Sequence, residues 1–122
     1  MSAVDDIRWH MIHEMKLNAS PFTFVKSGSK TVEMRLNDEK RALIKVGDQI
    51  QFCHAESGEK LLCNVVALYP YNNFDELYRC HDKISIGYKE NEVANPSDML
   101  AYYPAEKIAY YGVLGIGIEV IK

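Results

Sequence analysis

The sequence predicts an α+β fold: a β-barrel of about five to six short strands with short helices on its flanks. Three observations predict it. Strand-like and helix-like segments of five to ten residues interleave along the chain, a pattern that suits a barrel better than a doubly wound sheet. One segment, Thr31 to Leu36, alternates apolar and polar residues cleanly. The last segment, Gly112 to Ile121, reads as a buried strand carrying Val113, Ile116, Ile118 and Val120, and Gly115 and Gly117 within it point to close backbone approach or a bend at a barrel corner.

The elements follow in order. His13 to Leu17 is a short strand. Ser20-Pro21 supplies an N-cap and a first-turn proline, and Gly28 a stop, so the spacing predicts a helix over Pro21 to Ser27 that presents Phe22, Val25 and Phe24 to a core. In the next strand Val32, Met34 and Leu36 point one way, and Thr31, Glu33 and Arg35 the other. Asn37 caps a second short helix with Asp38 and Glu39 in its first turn, where the helix dipole favours acids. Gly47-Asp48 turns the chain into a strand from Gln49 to Cys53 with Phe52 in the core. Glu56 to Glu59 makes a hairpin turn into a longer strand, Lys60 to Leu68. Asn73 caps a helix over Phe74 to Cys80, with Phe74, Leu77 and Tyr78 on one side. An irregular stretch runs from Ile84 to Glu92. Asn95-Pro96 opens a helix to about Tyr103, and Pro104 a further short turn.

With 122 residues the chain suits one domain, 1–122, in which 1–11 is an N-terminal extension. No apolar run approaches the roughly 20 residues that span a bilayer, and the first nine residues lack the apolar stretch of a signal peptide. Cys53, Cys63 and Cys80 are odd in number and far apart, which predicts reduced thiols and a cytoplasmic protein. His10 and His13 could share a helix face, but no carboxylate or thiol completes a metal set, and the adjacent Cys80 and His81 do not converge on one ion. No metal and no cofactor are expected, and a monomer or weak homodimer is. No GxxxxGKT-type loop or Ser/His/Asp order supports ATP hydrolysis or serine-hydrolase chemistry.

Net charge is −3, against a protein that coats nucleic acid nonspecifically. Yet Lys26 to Lys45 holds six basic residues (Lys26, Lys30, Arg35, Lys40, Arg41, Lys45) against three acidic ones, so this segment is +3 and the rest −6. A basic island on an acidic protein suits a small anionic or nucleic-acid partner; the alternative is a solvated surface of mixed charge. Within the island, Glu33 lies two residues from Arg35 on one strand face, where it can orient the guanidinium while free donors meet a phosphate, carboxylate or base edge. As a plain exposed ion pair the same arrangement would contribute about 0–1 kcal/mol. Tyr102, Tyr103, Tyr110 and Tyr111 can stack a base or merely pack half-buried; Tyr111 is kept as a cleft candidate.

The string Leu17-x-x-x-Pro21-Phe22, Gly28-x-Lys30-Thr31-x-Glu33-x-Arg35-Leu36, Asp38-Glu39-Lys40-Arg41 and Gly47-Asp48-x-Ile50-x-Phe52 resembles the ASCH domain family (activating signal cointegrator homology) of the PUA-like superfamily. The match covers the first half well; in the second half Tyr111 to Ile116 looks like the closing strand. The resemblance implies a PUA-like barrel with flanking helices and a cleft holding Lys30, Glu33 and Arg35. It implies RNA or another nucleotide-bearing ligand; Lys40 and Arg41 of the basic island and Tyr111 are further candidate contacts. Some small members remove the acetyl group of N4-acetylcytidine with a lysine, a threonine and a glutamate. Lys30 matches the lysine, but the threonine position is Glu33, Thr31 lies elsewhere, and no second-half glutamate matches. Losing the hydroxyl removes that nucleophile, and a glutamate beside Lys30 favours its charged form. The expected function is therefore binding of RNA or a nucleotide. The alternatives are a hydrolase of a modified nucleoside or of RNA, with Lys30 and Glu33 (as general base) catalytic, and a protein-interaction module whose basic segment docks an acidic partner.

Overall fold

The computed structural model describes residues 10–122, so most of the expected N-terminal extension, 1–11, lies outside the described residues. Five strands form one sheet: β1 (Ile12–Leu17), β2 (Val32–Leu36), β3 (Gln49–His54), β4 (Lys60–Tyr71) and β5 (Val113–Val120), in the order β1-β3-β4-β5-β2. The sheet curls into a half-barrel with β1 and β2 as its edges. β1 runs parallel to β3, with Ile12 beside Gln49, and the other pairs are antiparallel. Among the described residues three short helices accompany it: α1 (Ala19–Ser27), α2 (Phe74–Cys80) and α3 (Ala105–Tyr111). No helix among the described residues is long and apolar enough to cross a membrane.

Two apolar clusters flank the sheet. The inner one gathers Met15, Phe22, Val25, Ile50, Phe52, Val65 and Ile116, so α1 closes the inside of the half-barrel. The outer one gathers Val32, Met34 and Leu36 of β2 with Phe74, Leu77, Ile86 and Met99, under α2 and the 82–103 connection. A strand with both neighbours on its faces cannot send an alternating polar row into open solvent. The polar face of β2 accordingly turns inward: Glu33 lies opposite Ile116 and Arg35 opposite Leu114, and Glu33 is 3% exposed.

Local signals set several boundaries. Asn73 caps α2 as expected, its side chain accepting from the Glu76 amide at 2.9 Å. Asn95 likewise caps a 3₁₀ turn, Pro96–Ala101, shorter than the helix expected there. Gly28 ends α1 with φ +88°. Four expectations need correction. α1 starts at Ala19, because the Asn18 carbonyl accepts from the Phe22 amide, and Ser20 sits in the first turn rather than at the cap. The helix expected after Asn37 is a single 3₁₀ turn, Arg41–Leu43, before which Asp38 Oδ1 accepts from the Arg41 amide at 3.0 Å. The chain after Pro104 forms a two-turn helix, α3, where only a turn was expected. β4 extends three residues beyond Leu68, through Pro70, because it stays paired with β5 to Tyr71–Val113.

The pairing of β4 with β5 shifts register between Val65 and Ala67. Gly117 sits opposite this bulge, where a Cβ would lie 3.0 Å from the Ala67 Cβ and 3.3 Å from its amide nitrogen. A side chain there would push the bulged strand away, so the glycine marks the close approach read from the sequence.

Candidate functional site

A cleft of about 460 Å³ opens at the seam between the two edge strands. Lys16 and Leu17 of β1, Phe24 of α1 and Glu33 to Arg35 of β2 line one side; Gly87, Tyr88 and the 3₁₀ turn with Asp98 line the other. The volume lies within the range of small-ligand sites.

At its base lies a buried triad of charges. Glu33 Oε1 accepts from Lys30 Nζ at 2.8 Å and from the Met34 amide at 3.0 Å. Glu33 Oε2 accepts from Arg35 Nε at 3.1 Å and Nη2 at 2.9 Å. Burial alone would raise the Glu33 pKa, but the charges of Lys30 and then Arg35, with their hydrogen bonds, outweigh it and hold the carboxyl down to about 2. Burial in turn works against the Arg35 guanidinium, and the Glu33 carboxylate more than offsets it, keeping the pKa above its ordinary value. The triad carries a net charge of +1, which sets the sign of the cleft floor.

Two members are placed by β2 and the third by the turn before it. Glu33 and Arg35 project together because they are two residues apart on β2. Arg35 Nη2 also donates to the Lys16 carbonyl at 2.9 Å, so one guanidinium ties the two edges of the half-barrel together. Lys30 precedes β2 in a turn held by its own amide on the Phe24 carbonyl and by the amides of Thr31 and Val32 on the Ser85 carbonyl. That bonding lays Gly87 over the Lys30 stem. A Cβ at Gly87 would lie 3.2 Å from Lys30 Cδ, and its φ is +108°, a conformation side chains resist.

Donors remain after this internal pairing. The ammonium of Lys30 has three N–H groups, of which one is bonded among the described residues, and the side chain is only 7% exposed. The Nη1 of Arg35 has no hydrogen bond among the described residues. Four tyrosines, Tyr78, Tyr88, Tyr102 and Tyr103, stand on the wall. Tyr103 stacks on Phe74 with ring centroids 6.1 Å apart, and burial raises its phenol pKa above the usual range against the opposing charge of Arg35.

The structure therefore brings Lys30, Glu33 and Arg35 together and places Lys40, Arg41 and Tyr111 outside the cleft lining. Arg41 pairs with Asp38 at 3.1 Å, Lys40 is exposed, and the Tyr111 hydroxyl donates to Glu39 at 3.3 Å. Part of the basic island is paired beyond the cleft as well, since Lys26 pairs with Glu59, more than thirty residues away. The His10 and His13 helix face does not form: His13 is on β1, bonded to the buried Asp48 at 2.8 Å. The wall residues Gly87 and Tyr88 escape a sequence reading, because the 82–95 connection has no period, and nothing local marks Tyr78 or Asp98 as cleft residues. Gly87 is one local sign of a turn there.

A family model described as the ASCH domain matches residues 15–122. Among solved structures, the chain is similar to the hypothetical protein PH0355, with 32% identity over 91% of this chain and 100% of that one, at a TM-score of 0.78. It is similar to protein PF0455 from Pyrococcus furiosus, with 33% identity over 92% of this chain and 99% of that one, at a TM-score of 0.70. A mutant of ZmASCH from Zymomonas mobilis is 13% identical over 87% of this chain and 67% of that one, at a TM-score of 0.52. That last likeness speaks for the fold alone, an α+β PUA-like barrel. No curated protein matches.

Proposed function

The chain belongs to the ASCH domain family, and from that premise we propose that its seam cleft binds a single nucleotide unit, free or within single-stranded RNA. One observation carries the reading: a buried Lys30–Glu33–Arg35 triad of net positive charge, with donors left over, faces a wall of tyrosines in a cleft of about 460 Å³. Arg35 Nη1 and Lys30 Nζ offer charge-assisted bonds to a phosphate or carbonyl oxygen, and Glu33 holds the guanidinium in one rotamer. The tyrosines supply flat faces for an unstacked base, as in single-strand recognition. The small surplus of charge favours one nucleotide over a long polyanion.

Hydrolysis is the weaker reading. A carboxylate that accepts four hydrogen bonds and titrates at about 2 lacks the basicity a general base needs near neutral pH.

Fluorescence anisotropy with a short single-stranded RNA tests the proposal. Arg35→Ala is expected to weaken binding by about tenfold to a hundredfold. Lys40→Ala, outside the cleft lining, should leave the affinity near wild type. Equal affinity for wild type and folded Arg35→Ala would remove the cleft from the reading.

A further inference from the structure

The wall opposite the cationic floor carries a polar chain that phosphate binding leaves unused. Tyr78 of α2, Tyr88 of the 82–95 connection and Asp98 of the 3₁₀ turn are linked in series. The hydroxyls of Tyr78 and Tyr88 are 2.8 Å apart, and the Tyr88 hydroxyl donates to Asp98 Oδ2 at 2.7 Å. The Asn95 carbonyl is also within reach of Tyr88, at 3.2 Å, but the shorter contact to a charged acceptor takes the single proton. Tyr78 must then donate to Tyr88, and the chain runs one way, ending on the carboxylate. Burial first raises the pKa of both phenols, so both remain donors at neutral pH. The two rings meet edge to face at 5.8 Å, which fixes the first two members against each other.

The result is an oriented acceptor on the wall of the cleft whose floor holds the cations. Asp98 Oδ2 is held by Tyr88, and Oδ1 has no hydrogen bond among the described residues. An ionised carboxylate accepts and cannot donate, so this end selects a ligand edge that presents N–H groups. The four bases differ in that respect. Guanine presents two adjacent donors, an imino and an amino group, spaced to meet both oxygens of one carboxylate. Adenine and cytosine present one amino group beside an acceptor nitrogen. Uracil presents one N–H flanked by two carbonyl oxygens, which a carboxylate repels.

Resting on the reading that the cleft takes a nucleotide, we propose that Asp98 is its specificity-determining residue and that the ligand is a guanine nucleotide. Its base edge meets Asp98, and its phosphate lies toward Lys30 and Arg35. The same hydroxyl chain also ties α2 to the connection, but that structural role would not distinguish one base from another. A base-dependent readout therefore separates the two roles.

Calorimetric titration of the purified chain with guanosine, adenosine, cytidine and uridine monophosphates is the test. Guanosine monophosphate is expected to bind about tenfold more tightly than the others, the scale of a good bidentate pair. Asp98→Asn, which keeps an acceptor for Tyr88 and loses the charge, should bring guanosine monophosphate down to the level of the rest and leave the other three little changed. Tyr88→Phe, which removes only the hydroxyl that orients Asp98, should narrow the preference with the fold monitored by thermal denaturation. It carries the test if Asp98→Asn does not fold. A flat wild-type series, or a guanine preference that survives the folded variants, overturns the role of Asp98 alone. Binding of none of the four overturns the nucleotide reading with it.

Discussion

Replacing Glu33 by glutamine isolates the charge at the heart of the cleft while keeping its shape. The wild-type carboxyl titrates at about 2 in the folded chain against 4.5 unperturbed, and Glu33 is 3% exposed, so solvent screening removes little of that difference. The shift corresponds to roughly 3 kcal/mol of stability near neutral pH, matching the ~3–5 kcal/mol typical of removing one partner from a buried ion pair. The variant would leave the cations of Lys30 and Arg35 buried beside a neutral amide. The folded pKa is depressed, so the contribution is fully present above about pH 4.5 and lost as the pH falls through about 2. Urea denaturation of both proteins from pH 7 downward is the assay. The gap in unfolding free energy should be roughly 3 kcal/mol at pH 7, or about 10–20 °C in Tm for a domain of this size. It should hold to about pH 4.5 and narrow steadily below, because glutamine mimics the protonated acid. A gap under about 1 kcal/mol at pH 7, or one that ignores pH, would refute the claim that Lys30 and Arg35 hold the Glu33 carboxyl down to about 2.

Gly87→Ala should lower stability by about 1–3 kcal/mol in thermal denaturation, because alanine resists φ +108° and its methyl meets the Lys30 stem at 3.2 Å. The same variant should weaken nucleotide binding by displacing Lys30. Asn73→Ala should cost about 1 kcal/mol, read in the same denaturation, through loss of the bond to the Glu76 amide. Nucleotide affinity should stay near wild type in that variant, although α2 also carries Tyr78.

Several features set by near neighbours were legible before folding. Asn73 caps α2 because its side chain meets an amide three residues ahead, and Gly28 ends α1 because few other residues adopt its φ. Alternation along Thr31 to Leu36 placed Val32, Met34 and Leu36 on one face and Glu33 with Arg35 on the other, so the two-residue core of the site could be read before folding. The outcome for that polar face could not be read. An alternating strand looks the same whether its polar row meets water or a second packed layer, and here the inner cluster and α1 bury it. Burial turned an ordinary ion pair into a triad with Lys30 and drew one Arg35 nitrogen onto β1. Tertiary structure also decided how much of the basic island stays charged to the outside, since the partner of Lys26 lies across the fold. It alone assembled Tyr78, Tyr88 and Asp98. Each is ten residues from the next, on a helix, an irregular connection and a 3₁₀ turn that share no period, and only the packed fold brings the three together.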